Sequence, residues 1–308
     1  MGDPDAWRHA IDAVVLNYRT PLDTLNAVRS LAASQLRPRC IYVIDNDQSA
    51  ECRTALAPTW GLIDYRQMAS NLGYSGGMNA GIRAALDHDA AAVLLVNSDV
   101  VVPPDCINEL CNSLDSAPLA GIAGPVIVAH GEPDRVASLG LSYRTVTGRM
   151  KHIGVGRSRQ ALQLAATRVV DAVSGCFMLI RRRTFEEVGL LEGAYFFTFE
   201  DLDLCLRARH KGVETVLASR AFVYHEGGRS LDSRSPRRHY FGVRNHLLLA
   251  KRLSSSEGRA ATLYRTVCIV LLNLAYAVRC GPSLLPARLG AVARGIHDHR
   301  LGRYGADG

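Results

Sequence analysis

The chain has 308 residues, of which 48% are hydrophobic and 21% charged. That length and balance describe a globular protein with a sizeable core, and exclude a disordered or low-complexity chain. A net charge of +7 favours anionic partners, which include nucleotide diphosphates, anionic lipid headgroups and nucleic acid. The nucleic-acid option rests on charge alone, because no recognition motif accompanies it.

The eight cysteines form no C-x-x-C pair and sit mostly in apolar runs. They are expected to be reduced core residues of a cytosolic protein, without structural zinc. Met1 to His9 is polar and has no apolar signal region, so the expectation is cytoplasmic. The nearest candidate for a membrane span, Val267 to Val278, is too short and contains Asn273.

Ala13 to Asn17 is a buried strand, and Thr20-Pro21-Leu22-Asp23 looks like a capping box with Pro at the first helical position. Ile41 to Ile44, Leu62 to Tyr65 and Val93 to Val96 are further strands, with a helix from Gly76 to Asp87. Such alternation indicates a parallel sheet with helices on both faces. Ligands of such sheets bind at the carboxyl ends of strands, where Asn17, Asp45 and Asp99 fall.

The middle, Gly121 to Ile180, is richer in β-pattern, with apolar runs Ile122 to Val128 and Val170 to Ile180 and loose alternation over Ser138 to Met150. Thr198 can cap a helix from Phe199 to about Lys211, and Val213 to Leu217 is a short strand. The last third is helical: a basic helix over Pro236 to Arg252, an apolar one over Ala260 to Cys280, and a basic one over Ala287 to Arg300.

Four segments carry chemistry. Asn97-Ser98-Asp99 follows a strand, and a carboxylate there can hold Mg²⁺ or Mn²⁺ against a diphosphate. It also reads as a polar strand end before Pro103-Pro104. Glu200-Asp201-Leu202-Asp203 could simply be acids in a first helical turn. The apolar wall of Tyr195, Phe196, Phe197 and Phe199 beside them suits a general base instead. His225 ends a short apolar run and opens a glycine-rich loop, with Arg229 and Ser230 beyond it as phosphate donors. Asn71 to Gly81 is a glycine-rich turn into a helix, a place for backbone to approach a nucleotide. It has neither dinucleotide-binding nor P-loop spacing.

In their order, these segments resemble the family 2 glycosyltransferases, specifically the rhamnosyltransferase-like branch with a GT-A fold, from about Ala13 to Tyr304. Val14 to Tyr18 resembles the first strand, Ile44-Asp45-Asn46 the base-recognition turn, and Asn71 to Gly81 the N-x-G-x-x-G-G-x-N-x-G segment. Asn97-Ser98-Asp99 resembles the metal motif, Ser174 to Gly189 the acceptor-side strand and turn, and Phe199 to Gly212 the E-D-x-D helix. The first position of the metal motif departs from the general D-x-D pattern, being Asn97. An amide binds metal more weakly than a carboxylate, although asparagine is common there in this branch.

The resemblance implies an α/β catalytic domain over 1–235, with a mainly parallel central sheet. Its nucleotide-sugar half covers about 10–128 and its acceptor half about 129–235, followed by an appended helical region at 236–308. It implies a hexosyltransferase that acts with inversion, assisted by Mn²⁺ or Mg²⁺. Asn17, Tyr18, Asp45, Asn71, Gly73, Gly77, Asn79, Asn97, Ser98 and Arg229 would bind the nucleotide sugar, with dTDP-rhamnose the first guess. Asp99 and His225 would bind the metal, Asp201 would be the base, and Glu200 and Asp203 would support it or orient the acceptor. The acceptor would be a glycan, a lipid-linked intermediate or a small molecule. The basic helices flanking the apolar one suit an anionic membrane surface on the inner face of the cell membrane, or packing against the catalytic domain or a second subunit. A nucleotide-sugar-binding protein without catalysis is the rival reading. A sugar nucleotidyltransferase would want a glycine-rich amino-terminal loop with Arg and Lys, which Asn17-Tyr18-Arg19-Thr20 is not.

Overall fold

Apolar runs without alternation become strands buried on both faces. The computed structural model describes residues 5–227, 232, 234–253 and 258–306. Its first half alternates β1 (Ile11–Asn17), α1 (Pro21–Ala32), β2 (Ile41–Asp45), α2 (Glu51–Ala55), β3 (Ile63–Gln67), α3 (Gly73–Asp87) and β4 (Ala92–Asn97). Then come β5 (Val100–Val101), α4 (Cys106–Asp115), β6 (Ala120–Ala129), β7 (Glu132–Ser138), β8 (Leu141–Arg144), β9 (Arg149–His152), β10 (Thr167–Val170), β11 (Phe177–Arg181), α5 (Arg182–Val188), α6 (Glu200–His210) and β12 (Glu214–His225). The chain closes with α7 (Pro236–Leu253), α8 (Arg259–Arg279) and α9 (Leu285–Arg300).

One large sheet runs β10-β12-β6-β11-β4-β1-β2-β3, with β5 paired to β12 and β7 to β6. The β4-β1-β2-β3 half is wholly parallel. Beyond it, β11 runs antiparallel between β4 and β6, and β12 returns parallel to β6. Alternate residues serve opposite cores: Ala13 and Val15 join Leu94 and Leu179 on one face, Val14 and Leu16 join Leu95 and Met178 on the other.

Several sequence expectations shift by local physics. Thr20 precedes α1 and Pro21 opens it, but the Thr20 hydroxyl bonds Ser98 and Asn17 instead of capping the helix. Helix α3 starts at Gly73, three residues before Gly76. The run Val170 to Ile180 divides into β10 and β11, which pair with different strands. The strand expected at Val213 to Leu217 continues through an irregularity to His225. Helix α8 has 21 residues, long and apolar enough by length and composition to cross a membrane, which corrects the expectation from Val267 to Val278 alone.

Helix α7 is tied to α6 and to the loop before it. Arg252 on it pairs with Asp203 and Glu192, and buried His246 accepts the stacking of Phe199 at 4.8 Å between ring centres. His246 Nε2 lies 2.6 Å from the Gly148 carbonyl and Nδ1 lies 3.2 Å from the Asn273 amide nitrogen. That pattern fits the neutral tautomer with the proton on Nε2. Burial lowers the His246 pKa from 6.5 to about 4, against the opposing Gly148 hydrogen bond. The unfolded chain takes up this proton first as pH falls. The stability contribution is therefore complete above 6.5, is lost on acidification, and levels off below about 4. The melting temperature should fall over that interval more steeply than in His246→Gln; superimposable profiles for the two would refute the assignment.

Candidate active site

The strand register sets the site. Leu16 on β1 lies level with Ile44 on β2 and Asn97 on β4, so three strand ends open on one edge. The short β5 pairs Val100 with His225 at the end of β12. That pairing puts Asp99 beside a residue far along the chain: His225 Nε2 lies 3.2 Å from Asp99 Oδ1. The Gly227 amide donates to Asp99 Oδ2 at 3.2 Å. Burial pushes the Asp99 pKa up, but the His225 hydrogen bond and charge and the Gly227 amide hold it below the usual carboxylate range. For His225, burial favours the neutral ring, and its contacts with Cys176 and Asp99 outweigh that and raise the pKa.

A cleft of about 300 Å³ lies over this pair. It is lined by Tyr18, Asn71, Gly73, Asn97, Ser98, Asp99 and His225, all expected from the sequence. Asn97 Oδ1 is buried and has no hydrogen-bond partner among the described residues, nor has Asn46 Oδ1. Asn46 lines the cleft while its amide nitrogen donates to the Gly73 carbonyl at 2.8 Å. Buried polar atoms are rarely left unpaired, so two such acceptors in one cleft mark a place for a ligand. Gly73 has φ +70°, and a Cβ there would meet the Phe196 carbonyl at 2.4 Å. Only glycine fits that turn.

Asp201 stands at the start of α6, half-buried and outside the residues lining the cleft. Its Oδ2 accepts the Gly175 amide at 2.9 Å, and its Oδ1 the Leu202 amide at 2.7 Å. Tyr74, which lines the cleft, donates its hydroxyl to the Gly175 carbonyl at 2.5 Å. The next residue, Cys176, accepts the Asn97 amide through its carbonyl at 2.8 Å. The Ser174-Gly175-Cys176 segment thus links the acidic helix to the Asn97-Ser98-Asp99 turn. Glu200 is buried, and its Oε2 has no hydrogen-bond partner among the described residues. Burial, with Asp201 and Asp203 nearby, raises its pKa well above the ordinary value.

Four expected ligand contacts are otherwise engaged. Asn17 is buried: its amide donates to Asp45 Oδ1, and its Oδ1 accepts from Thr20 and Thr24. Asp45 also accepts the Tyr65 hydroxyl at 2.6 Å and the Asp47 amide at 3.0 Å. Both shape the turn, and the neighbouring Asn46 lines the cleft. Asn79 exchanges two hydrogen bonds with the Leu191 backbone and clamps α3 to that loop. Gly77 permits close packing, since a Cβ would meet Leu16 Cδ1 at 2.4 Å and Asn46 Nδ2 at 2.9 Å. Asp203 likewise serves the fold: its carboxylate accepts from Tyr195, Arg207 and Arg252. Arg229 lies outside the described residues.

The α7 part of the far wall was not legible as a site. Phe196, Phe197, Arg237, Arg238 and Phe241 line that wall, the last three from the first turns of α7. Phe196 stacks on Phe241 at 5.4 Å, and the Arg237 guanidinium lies 5.5 Å from the Phe241 ring centre. A basic amphipathic helix start was the available signal, and it carried no address.

The loop before α6 holds an unusual backbone. Phe196, Thr198 and Phe199 have φ of 59°, 66° and 77°. Bulky residues seldom adopt this region, and it persists only where surroundings enforce it. The expected Thr198 cap is thereby corrected: Phe199 occupies the cap position and no side chain caps the helix. Asn245 on α7, fully buried, donates its amide to the carbonyls of Tyr195, Phe197 and Thr198 at 2.7, 2.7 and 3.1 Å. Asn245→Ala leaves those carbonyls without their donor, at a cost of about 1–3 kcal/mol. Denaturant unfolding should show that loss, together with faster hydrogen exchange around 196–199. Unaltered stability and exchange would remove Asn245 from this role.

The comparisons with known proteins fit this geometry. Residues 9–240 match the model of the "Glycosyltransferase like family 2" family. The chain is 25% identical over 252 residues to dTDP-rhamnosyl transferase RfbF of Shigella flexneri, covering 79% of this chain and 80% of that one. It is 27% identical over 231 residues to the N-acetylglucosaminyl-diphospho-decaprenol L-rhamnosyltransferase of Mycobacterium tuberculosis, covering 68% and 73%. It is 26% identical over 206 residues to the low-salt glycan biosynthesis hexosyltransferase Agl10 of Haloferax volcanii, covering 66% of this chain and spanning 62% of that relative's length. Among solved structures, GalNAc-T7 with UDP, GalNAc and Mn²⁺ superposes with a TM-score of 0.61 at 14% identity, covering 94% of this chain and 54% of that one. The mannosyltransferase PcManGT of Pyrobaculum calidifontis with GDP-Man and Mn²⁺ gives 0.57 at 13% identity, covering 96% and 83%. These two likenesses concern the fold. Family model, fold and the order of the site segments agree: the chain belongs to the family 2 glycosyltransferases, with a GT-A fold.

Proposed function

We propose that this chain transfers a sugar, rhamnose first, from a nucleoside-diphosphate donor to an acceptor hydroxyl with inversion. The observation that carries the reading is the joining of Asp201, through Gly175 and Tyr74, to a cleft that also holds Asp99, His225 and two unpaired amide oxygens. The names of the Shigella and mycobacterial relatives support rhamnose, and dTDP as its carrier.

Asn46 Oδ1 is the acceptor offered to an N–H of the base, and Tyr18 offers a ring beside it. Asp99, His225 and Asn97 Oδ1 are the donors that would hold a divalent cation, an oxygen-rich set with one imidazole that suits Mn²⁺ or Mg²⁺. Bound there, the cation neutralises charge on the diphosphate. Arg237 and Arg238 add positive charge on the opposite wall.

The reaction is a single displacement. The acceptor oxygen bonds to the anomeric carbon, the bond from that carbon to the diphosphate oxygen breaks, and the electron pair leaves with the diphosphate. The acceptor's proton passes to the Asp201 carboxylate, whose two backbone amide partners keep it oriented. Attack from the side opposite the leaving group inverts the centre. The lipid-diphosphate acceptor in the mycobacterial relative's name supports a glycan or lipid-linked acceptor here.

Asp201→Asn keeps the shape and removes the base. Turnover should fall by at least about 100-fold, the usual range for general-base loss, while donor binding is retained. Unchanged turnover would dismiss Asp201 as the base. Binding of nucleoside diphosphates, with and without Mn²⁺, should favour the thymidine compounds and strengthen with the metal. A preference for uridine or guanosine would replace the donor, and no binding of any nucleotide would favour a protein without this activity.

A further inference from the structure

Helix α8 is apolar around its whole circumference but covered on one side only. From Ala260 to Val278 its one charged residue is Arg265, which is buried. Arg265, Ile269, Asn273 and Ala277, spaced four apart, form the stripe turned into the protein; Ile269 and Ala277 pack with Val243, Leu247 and Val292 of α7 and α9. The opposite stripe comprises Ala260, Tyr264, Val267, Leu271, Ala275 and Val278, at steps of three and four residues, and all six are exposed. Val267 is 48% and Leu271 59% exposed. Only 17% of the helix's most apolar 18-residue stretch is buried. A contiguous apolar face of this kind marks an interaction surface.

Charge identifies the occupant. Residues 236–308 contain twelve Lys and Arg against three Asp and Glu, a net of +9, whereas residues 1–235 contain twenty-four against twenty-six, a net of −2. The basic character of the chain therefore resides wholly in the helical region that presents this face. Exposed Arg259 and Arg279 stand at the two ends of α8. An apolar stripe bracketed by cations matches the acyl boundary and the headgroups of an anionic bilayer. A second copy of the chain would bring +9 against +9.

We infer that α8 lies in the plane of an anionic membrane surface, with the Tyr264-Val267-Leu271-Val278 stripe immersed, and holds the protein there as a peripheral protein. Lying in the plane retains the packing of the inner stripe, including the Asn273 amide beside His246. A spanning helix would have to abandon it. The position relative to the cleft is favourable: His239 stacks near Tyr276 of α8 at 5.0 Å, and its neighbour Arg238 lines the cleft and hydrogen-bonds Tyr276. A docked α8 thus sets the cleft beside the bilayer, where a lipid-linked acceptor would be met. That last step rests on the transfer reading; the docking surface does not.

The test is flotation of the whole chain with vesicles of phosphatidylcholine alone or enriched in phosphatidylglycerol. Binding is expected to the anionic vesicles, to weaken with salt, and to be released by alkaline carbonate. Val267→Glu with Leu271→Glu should abolish flotation while nucleotide binding and melting temperature stay as in the parent. Flotation that survives these substitutions overturns the proposal, because another surface would be responsible. Resistance to carbonate overturns it in favour of a spanning helix. Absence of flotation with a dimer that the two substitutions dissociate overturns it in favour of a second copy, whatever the donor experiments give.

Discussion

The arrangement depends on a backbone that is unfavourable by itself. Three of the four residues from Phe196 to Phe199 sit in left-handed conformations without being glycine. The chain keeps them there by placing one asparagine amide, that of Asn245, within reach of three carbonyls, and by seating the Phe196 carbonyl on the Tyr74 amide at 2.6 Å. This loop determines where α6 begins, and hence where Asp201 stands. It also aims Phe196 and Phe197 into the cleft wall. Strain at such a position is consistent with a functional loop that a scaffold over-determines.

Around it, the sheet performs a second alignment. Parallel pairing brings the ends of β1, β2 and β4 level, which gathers polar turns on one edge. The segment leading into antiparallel β11 then sets Cys176 against Asn97, and Gly175 just before it reaches Asp201. The two-residue β5 is the smallest strand in the fold, yet its pairing with β12 is what joins Asp99 to His225. That single short bridge, set on the edge of the large sheet, completes the convergence.

The sequence disclosed elements more readily than contacts. The strands of the parallel half and the three last helices are marked by apolar runs and periodicity, so their existence was legible within a few residues. The Asp99 and His225 pair was legible only through the order of motifs, since nothing local ties β5 to β12. Polar residues at strand ends also have partners within the fold. Asn17, Asp45 and Asn79 look like ligand contacts in one dimension, and in three they are consumed by Thr20 and Thr24, Tyr65, and the Leu191 backbone. Asn46, one residue along, lines the cleft. The wall of Phe241, Arg237 and Arg238 was illegible because a helix start shows its composition but not its neighbour. The two-sided apolar character of α8 was also hidden, because burial of one stripe cannot be seen in a run of hydrophobic letters.

The Asn245 clamp bears on how the protein is born. Its three acceptors precede it by 47 to 50 residues, so they leave the ribosome well before it does. The four strands of the parallel half all end by Asn97, so they can pair before either the loop or α7 has been made. The loop ahead of α6 takes its donor from α7, which is made later still. During synthesis the parallel half can therefore form while the loop before α6 still lacks its Asn245 donor, and that loop is complete only once α7 has been made.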